Sequence, residues 1–249
     1  ERGGLRVVAL GVQVRQADYA QPATLDTAFQ GATKVLLISS SALGERVAQH
    51  GNVIDAARRA GVALLAYTSL LHADTSPLGL AAEHTATEAL LRASGVPHVL
   101  LRNGWYTENY LAGLPAVLQH GAVIGSAGEG RIASAARADY ADAAAAVLTR
   151  DDQAGLVHEL AGDTSYTLAE FAAEVGRQTG RTIPYINLPE ADYRGALLGA
   201  GLPEPLAHLL ADSDVGASKG GLFDDGHRLS QLIGRPTAAL GAMVAAALG

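Results

Sequence analysis

The sequence predicts an α/β fold built on a doubly wound parallel sheet, together with a smaller and mostly helical C-terminal domain. Short apolar runs alternate with longer helical patterns through the first half of the chain, as in repeated βα units. These runs are almost continuously apolar, which is typical of strands that have helices on both faces. The second half alternates less regularly and contains more glycine and proline, so we expect the smaller domain there.

Two apolar runs, Arg6 to Leu10 and Gly11 to Val14, follow each other at the start of the sequence with no turn between them. Two parallel strands cannot be joined directly, because a crossover of about a dozen residues has to carry the chain back. Either the two runs form one bent strand, or a segment between them is absent from this sequence.

The next part of the sequence predicts three strands with two helices between them. Each helix is closed by a glycine, Gly61 and Gly95, a residue that favours helix C-termini. In order, the predicted elements are a strand at Lys34 to Ser39, a helix at Ala48 to Ala60, a strand at Val62 to Thr68, a helix at Ala81 to Ala93 and a strand at Pro97 to Arg102.

The second half contains fewer clear elements. An alanine-rich helix is predicted at Ala138 to Arg150. Thr167 and Glu170 have the spacing of a capping box, in which each side chain satisfies a free amide of the other residue, so a helix should begin there. The pattern predicts a strand at Arg181 to Leu188 and helical segments from Glu190 onward.

Composition excludes several classes of function. The chain has 249 residues, of which 49% are hydrophobic and 17% charged, and a formal charge of −7. That charge gives no basic footprint for nucleic acid, so no nucleic-acid partner is expected. The absence of cysteine excludes thiol catalysis and zinc–thiolate sites and fits a reducing compartment. No apolar stretch has the length of a membrane span, so we expect a cytoplasmic protein without a membrane partner.

Three local motifs suggest chemistry but favour simpler interpretations. The glycine run Gly125 to Gly130 precedes an extended segment, whereas a dinucleotide loop opens a helix, so we interpret it as a turn. Ser69, His72 and Asp74 offer the residue types of a hydrolytic triad, yet no G-x-S-x-G elbow exposes the serine. The eight histidines show no H-E-x-x-H pattern, and we predict no metal site.

Polar, small or aromatic residues follow each predicted strand. In an open α/β sheet, ligands bind beyond the carboxyl ends of the strands. The three strand ends are Ser39 to Ser41, Tyr67 to Ser69, and Arg102 to Tyr106. Their residue types suit the wall of a cofactor site. The alternative is that they are polar only because connecting loops are generally polar.

These strand ends also resemble a known family. The segments LLISSS, AYTSLLHADTSPLGL, LLRNGWYTENY, RADY and DSDVGASKGGLFDD together are similar to the NmrA-like atypical short-chain dehydrogenases, most of all to the NADPH:quinone oxidoreductase type 2 group. The likeness runs from about Val12 to the end of the sequence. It implies a Rossmann-like domain that binds NADPH and a smaller domain that closes over the nicotinamide. The predicted division assigns 1–104 and about 131–150 to the first domain, and about 105–130 and 151–249 to the second.

The sequence departs from the family pattern near its start. Members of the family open with a strand and a G-x-T-G-x-x-G loop, followed later by the arginine that holds the NADPH 2′-phosphate, and neither is found in this chain. Arg6 to Leu10 resembles the second strand of the family. We therefore expect that about a dozen residues are absent between Leu10 and Gly11, and that these two residues lie more than about 8 Å apart.

The resemblance assigns the site residues. Asn103 to Glu108 would border the nicotinamide, Ser41 to Leu43 would lie along the middle of the cofactor, and Arg137 would contact it or close the cleft. In full, the predicted cofactor-binding residues are Ser39, Ser40, Ser41, Ala42, Leu43, Tyr67, Thr68, Ser69, Asn103, Gly104, Trp105, Tyr106, Thr107, Glu108 and Arg137.

The expected activity is transfer of a hydride from NADPH to a quinone, a small-molecule partner. No Y-x-x-x-K pair is present, and His84 with Glu88 occupies the place where many relatives have lysine and glutamate. Tyr106, His84 and His72 are the candidate catalytic residues, and Trp105 and Tyr106 could stack on a planar substrate. The alternatives are a non-catalytic NADPH-sensing regulator and a reductase of dyes or azo compounds. A homodimer is compatible with the sequence.

Overall fold

The computed structural model describes residues 12–42 and 44–249. The predicted strand at Arg6 to Leu10, the separation of Leu10 from Gly11, and the predicted cofactor contact of Leu43 lie outside the described residues.

The helices and strands are, in chain order, α1 (Pro22–Ala28), β1 (Lys34–Leu37), α2 (Arg46–Ala60), β2 (Leu64–Leu70), α3 (Ala81–Ser94), β3 (His98–Asn103), α4 (Thr107–Leu111), α5 (Leu114–His120), β4 (Val123–Gly125), α6 (Arg137–Thr149), β5 (Val157–Leu160), α7 (Leu168–Thr179), β6 (Tyr185–Asn187), α8 (Glu190–Gly199), α9 (Glu204–Ser218), α10 (Arg228–Ile233) and α11 (Leu240–Leu248).

The main sheet has the strand order β1-β2-β3-β5, and all of its neighbouring strands are parallel. Side chains of β2 alternate between two buried layers. Leu65 and Tyr67 pack with residues of α2 and α3, whereas Leu64 and Ala66 pack with residues of α6 and α10. Helices therefore cover both faces, and the predicted doubly wound, Rossmann-like α/β fold is confirmed.

A separate hydrophobic cluster forms the core of the smaller lobe, with Phe171 of α7 among its most buried residues. It includes residues of α5, α7 and α11, and the short parallel pair β4 and β6 lies beside it. The predicted capping box starts α7, since the Glu170 N–H donates to Thr167 Oγ1 at 3.1 Å and the Thr167 N–H to Glu170 Oε2 at 2.8 Å. Both amides would otherwise have no partner in the first turn.

Several predicted boundaries are corrected by the structure. The second strand runs over Leu64–Leu70, two residues beyond the predicted Val62 to Thr68, and the predicted strand at Arg181 to Leu188 shrinks to Tyr185–Asn187. The strand β5 was not predicted from the sequence, because VHEL is short and half polar. The strand β5 pairs with β3, and α10 packs against α6. Both β5 and α10 fall within 151–249, which the sequence assigned to the second domain. These two elements belong with the main sheet; the rest of the division into domains stays a prediction.

The longest helices in the described part of the chain, α2 and α9, have 15 residues each. Within residues 12–42 and 44–249, no helix combines the length and the apolar character that crossing a membrane requires.

Candidate functional site at the carboxyl edge of the sheet

The three predicted strand ends lie along one edge of the main sheet, because all of its strands are parallel. The loop at 39–42, which we call the serine loop, follows β1. Its Ser39 and Ser40 are half-buried, and Ser41 is exposed. The residues after β2 and β3 come next along the same edge, so the fold brings together segments that are about 30 residues apart in sequence.

Protein groups hold the backbone of the serine loop. The Ser39 N–H donates to Thr68 Oγ1 at 2.8 Å, and the Ser40 N–H donates to His50 Nε2 at 2.9 Å. The Ser40 carbonyl oxygen accepts from Arg46 Nε at 2.7 Å. These bonds hold the backbone of Ser39 and Ser40 in place, and the Ser40 hydroxyl also has protein partners, since it donates to Gln49 Oε1 and accepts from the Ala42 N–H.

The side chains at the end of β2 also have protein partners. The Tyr67 hydroxyl lies 2.8 Å from His84 Nδ1, and Ser69 Oγ donates to Glu88 Oε1 at 2.7 Å. All three side chains of Tyr67 to Ser69 are buried. Their expected contact with a cofactor stays a prediction, and what the structure gives them is a role in holding β2 to its neighbours.

His84 lies inside the protein, between α3 and β2, with 5% of its surface exposed. Burial lowers the pKa of His84 to about 3, and the nearby Arg46 adds to the effect, so the imidazole is neutral at physiological pH. A neutral ring that is bonded to Tyr67 in the interior has no open path to a substrate. This location favours a structural role, and the catalytic role of His84 stays a prediction.

The segment after β3 contains an acceptor that lacks a donor. Asn103 is 6% exposed, and its buried Oδ1 has no hydrogen-bond partner among the described residues. An unpaired buried acceptor costs free energy, which a ligand with an N–H group can recover. Gly104 is confined, since a Cβ there would lie 3.1 Å from both the Leu160 carbonyl oxygen and the Tyr140 hydroxyl.

Trp105 lies in the interior, although it follows β3 closely. Its side chain is 8% exposed and packs in the core of the smaller lobe. This burial favours a structural role, because a large apolar ring is more stable in the lobe core than in water, and the expected stacking by Trp105 stays a prediction. Thr107 is also internal, and its Oγ1 lies 2.8 Å from Ser134 Oγ.

Tyr106 and Arg137 lie side by side. The guanidinium carbon of Arg137 is 4.8 Å from the ring centroid of Tyr106, a cation–π distance. Glu108 fixes the arrangement, because its carboxylate accepts from the Arg137 N–H at 3.0 and 3.2 Å at the start of α6. Arg137 is exposed and Tyr106 half-buried, so the cation is available to a ligand, whereas one face of the Tyr106 ring is covered by the guanidinium.

A buried network of charges underlies this edge. Arg102 reaches both oxygens of Glu88, from Nε at 2.9 Å and from Nη2 at 2.8 Å, and its Nη1 donates to Glu159 Oε1 at 2.8 Å. Burial alone would raise the pKa of Glu88, but hydrogen bonds from Arg102 and Ser69 hold it below its usual value. The network was not predicted from the sequence, because its members are distant along the chain and no local spacing links them.

His72 lies just beyond the end of β2. Its backbone has a left-handed φ of 50°, its N–H donates to Glu159 Oε2 at 2.8 Å, and its Nε2 is 3.2 Å from Asp224 Oδ2. Because Ser69 bonds to Glu88 and His72 faces these two carboxylates, the structure assembles no Ser-His-Asp triad from Ser69, His72 and Asp74. The side chain of His72 is about one third exposed.

The glycine run at 125–130 begins with the last residue of β4 and continues into a turn, in which the Gly130 N–H donates to the Ala127 carbonyl oxygen at 2.8 Å. The amides of Ser126, Ala127 and Gly128 donate to Asp214 Oδ2 at 2.8 Å, Tyr185 Oη at 3.1 Å and Asn187 Oδ1 at 2.9 Å. The interpretation as a turn is confirmed, since the amides that would have to bind a phosphate already have internal partners.

The parallel sheet, with helices on both faces and polar segments at its carboxyl edge, places the protein in the Rossmann-like class, in which ligands bind at this edge. The chain belongs to the NAD(P)H-binding family, whose model matches residues 5–151. It is 60% identical to quinone oxidoreductase 2 of Escherichia coli strain K12 over 234 residues, which cover 94% of this chain and 82% of that protein. The resemblance identified in the sequence is thereby confirmed.

Solved structures agree with this assignment. The NADPH-dependent quinone oxidoreductase of Escherichia coli complexed with NADPH is 59% identical and has a TM-score of 0.93, covering 96% of this chain and 84% of that one. The triphenylmethane reductase of Citrobacter sp. complexed with NADP(H) is 35% identical, with a TM-score of 0.91, and the match covers 95% of this chain and 84% of that one.

Proposed function

We propose that this protein is an NADPH-dependent quinone oxidoreductase that transfers a hydride from the nicotinamide to a small-molecule quinone. One observation carries the proposal: the identity of 60% with a quinone oxidoreductase extends over 94% of the chain. It therefore includes both the main sheet and the smaller lobe that would cover a substrate. The fold and the chemistry of the carboxyl edge support it independently.

The residues at this edge fit a nicotinamide cofactor. Asn103 has a buried acceptor without a donor among the described residues, and the carboxamide of a nicotinamide carries N–H donors of the required type. The serines of the serine loop are half-buried or exposed, so this loop is accessible to a ligand at the carboxyl edge. Arg137 supplies an exposed cation for an anionic ligand.

The cofactor, when bound, supplies the hydride. The chain itself has to position the reactants and stabilise developing negative charge. Arg137 would lie near the substrate oxygen or a cofactor phosphate, and Tyr106, whose ring carries that guanidinium on one face, would border the same site. A quinone needs little acid catalysis, because reduction gives a stabilised phenolate. Tyr106 and His72 are the residues we propose to donate the proton, since neither is fully buried.

Steady-state oxidation of NADPH with a panel of acceptors tests the function. We expect quinones to be turned over with kcat/KM at least about tenfold above triphenylmethane and azo dyes, a difference of about 1.4 kcal/mol in transition-state stabilisation. A dye that exceeds every quinone would favour the dye reductase, which the 35% identity to triphenylmethane reductase makes the second candidate. Binding of NADPH without turnover of any acceptor would favour the regulatory alternative. The cytoplasmic location and the homodimer remain predictions.

A further inference from the structure

His50 is a buried histidine that the proposed reaction does not use. It lies in α2, has 0% of its surface exposed, and packs edge-on against Tyr67 with ring centroids 5.4 Å apart. Its two ring nitrogens face different elements. Nε2 accepts the hydrogen bond from the Ser40 N–H of the serine loop, and Nδ1 lies 3.0 Å from Thr87 Oγ1 on α3.

The hydrogen-bond partners define the tautomer of His50. Thr87 Oγ1 donates to the Glu83 carbonyl oxygen at 2.9 Å, so its one hydrogen is used and it accepts from His50 Nδ1–H. Nε2 is then free of hydrogen and accepts from the Ser40 N–H. Burial lowers the pKa of His50 to about 4, with repulsion from Arg46 as a second cause, so the ring stays neutral near pH 7.

A second side chain of α2, that of Arg46, also connects the serine loop to α3. Arg46 donates from Nε to the Ser40 carbonyl oxygen at 2.7 Å and from Nη1 to Glu83 Oε2 at 3.0 Å. The other carboxylate oxygen, Glu83 Oε1, accepts from the Gly44 N–H at 2.8 Å. Two residues of α2 thus hold Ser40: His50 accepts from its N–H and Arg46 donates to its carbonyl oxygen. Both of these side chains are in turn hydrogen-bonded to α3.

We propose that His50 is a positioning residue for cofactor binding, which acts by holding the serine loop in the conformation that receives NADPH. This inference rests on the proposed function. It follows from the geometry, because the ring reaches the loop backbone from the interior and cannot contact a ligand itself. A loop that is ordered before binding does not have to be ordered by the ligand, so the affinity for NADPH is higher.

Two variants separate positioning from packing. His50→Leu removes the acceptor, whereas His50→Gln keeps an oxygen that can accept from the Ser40 N–H. A matched control is His158→Leu, because His158 is also buried, at 2% exposure, but lies in β5 and accepts from Arg228 Nε at 3.2 Å. Its removal costs a buried histidine without touching the serine loop.

The Kd for NADPH, measured by fluorescence titration without any quinone, should rise about tenfold in His50→Leu, as expected for the loss of one hydrogen bond. His50→Gln should restore it to within about threefold, and His158→Leu should leave it unchanged. At saturating NADPH, kcat should change less than the Kd. In the cofactor-free protein, hydrogen exchange of the Ser40 amide should accelerate about tenfold in His50→Leu only.

An unchanged Kd and unchanged Ser40 exchange in His50→Leu would overturn the proposal, as would equal losses in the Leu and Gln variants. If His50→Leu does not fold, the tautomer of His50 can be determined by nitrogen NMR of the wild-type protein. A hydrogen on Nε2 would overturn the proposal, because Nε2 could then not accept from the Ser40 N–H. A protein that binds NADPH in this His50-dependent way but reduces no quinone would refute the proposed function and leave this inference standing.

Discussion

Arg102 and Glu88 form a two-point ion pair in the interior of the protein, in which two guanidinium nitrogens lie 2.9 and 2.8 Å from the two carboxylate oxygens. The side chains are 6% and 1% exposed. The pair joins β3 to α3 directly beneath the carboxyl edge. It holds the strand that carries Asn103 in place.

We expect Arg102→Met to lower the free energy of unfolding by about 3 to 5 kcal/mol, because it leaves the buried Glu88 carboxylate without its main partner. Arg92→Met is the matched control. Arg92 binds the same carboxylate at 2.8 Å, but its side chain is 56% exposed, so its loss should cost less than about 1 kcal/mol. Urea unfolding at pH 7 measures both changes, and equal losses would contradict the assignment of the buried pair as the stronger interaction.

Asp214 predicts a pH dependence of stability. Burial raises the pKa of Asp214 from 3.8 to about 6. Between pH 3.8 and about 6 the folded state binds more protons than the unfolded state. The contribution of Asp214 to the free energy of unfolding is therefore fully present below pH 3.8 and is lost as the pH rises through about 6. Between pH 4 and pH 7 the wild type should lose about 2 kcal/mol relative to Asp214→Asn.

Urea unfolding of both proteins at pH 4 and pH 7 checks this difference. Asp212→Asn is the control for Asp214→Asn, since Asp212 lies on the same helix, is only partly buried and accepts from the Gly79 N–H. A wild type that gains stability relative to Asp214→Asn as the pH rises would show that Asp214 ionises more easily in the folded protein than in the unfolded chain, the opposite of the effect expected from its burial.

Arg137 should matter for activity. We expect Arg137→Ala to lower NADPH-dependent turnover of a quinone more than about tenfold, because a cation that hydrogen-bonds a phosphate or a developing oxyanion contributes several kcal/mol when partly desolvated. Arg131→Ala removes another exposed arginine, one whose Nε donates to Ser165 Oγ, and should leave kcat and KM unchanged. Unchanged kinetics in Arg137→Ala would remove this residue from the site.

Asn103 should contribute more to cofactor binding than to stability. Because Asn103 Oδ1 has no partner among the described residues, Asn103→Leu should change the free energy of unfolding by no more than about 1 kcal/mol, measured without cofactor. The Kd for NADPH should rise about tenfold. Asn52→Leu removes a 2.9 Å hydrogen bond from α2 to the Tyr19 carbonyl oxygen. It should lower the free energy of unfolding and leave the Kd for NADPH unchanged. A large loss of stability with unchanged Kd would make Asn103 a structural residue.

The sequence predicted the parts of the fold that depend on local pattern. Five elements lie close to their predicted ranges, namely β1, β2, β3, α2 and α3. They are predictable because apolar runs and terminal glycines are local signals, each contained within a few residues. The short strand β5 has only four residues, and its polar pair His158 and Glu159 interrupts the apolar pattern. Its place in the sheet depends on pairing with β3, which is not a local property.

The candidate site was predictable only in part, for the same reason. The strand-end rule identified the serine loop and Asn103, and the family resemblance added Arg137. Neither could show that Trp105 packs in the lobe core or that His84 bonds to Tyr67 in the interior. The roles of Glu88 and His50 depend on contacts between elements. Glu88 binds Arg102, 14 residues later in the sequence, and His50 binds Ser40, 10 residues earlier, and no repeating pattern links these positions.

A single-turnover experiment is the most direct test of hydride transfer from NADPH to a quinone. The protein is mixed with NADPH and one equivalent of quinone in the absence of oxygen, and the oxidised cofactor and the hydroquinone are quantified over time. We expect one hydroquinone for each NADPH oxidised, at a rate no slower than steady-state turnover and reduced when the transferred hydrogen of NADPH is deuterium. NADPH that binds yet stays reduced in the presence of quinone would contradict the proposed function.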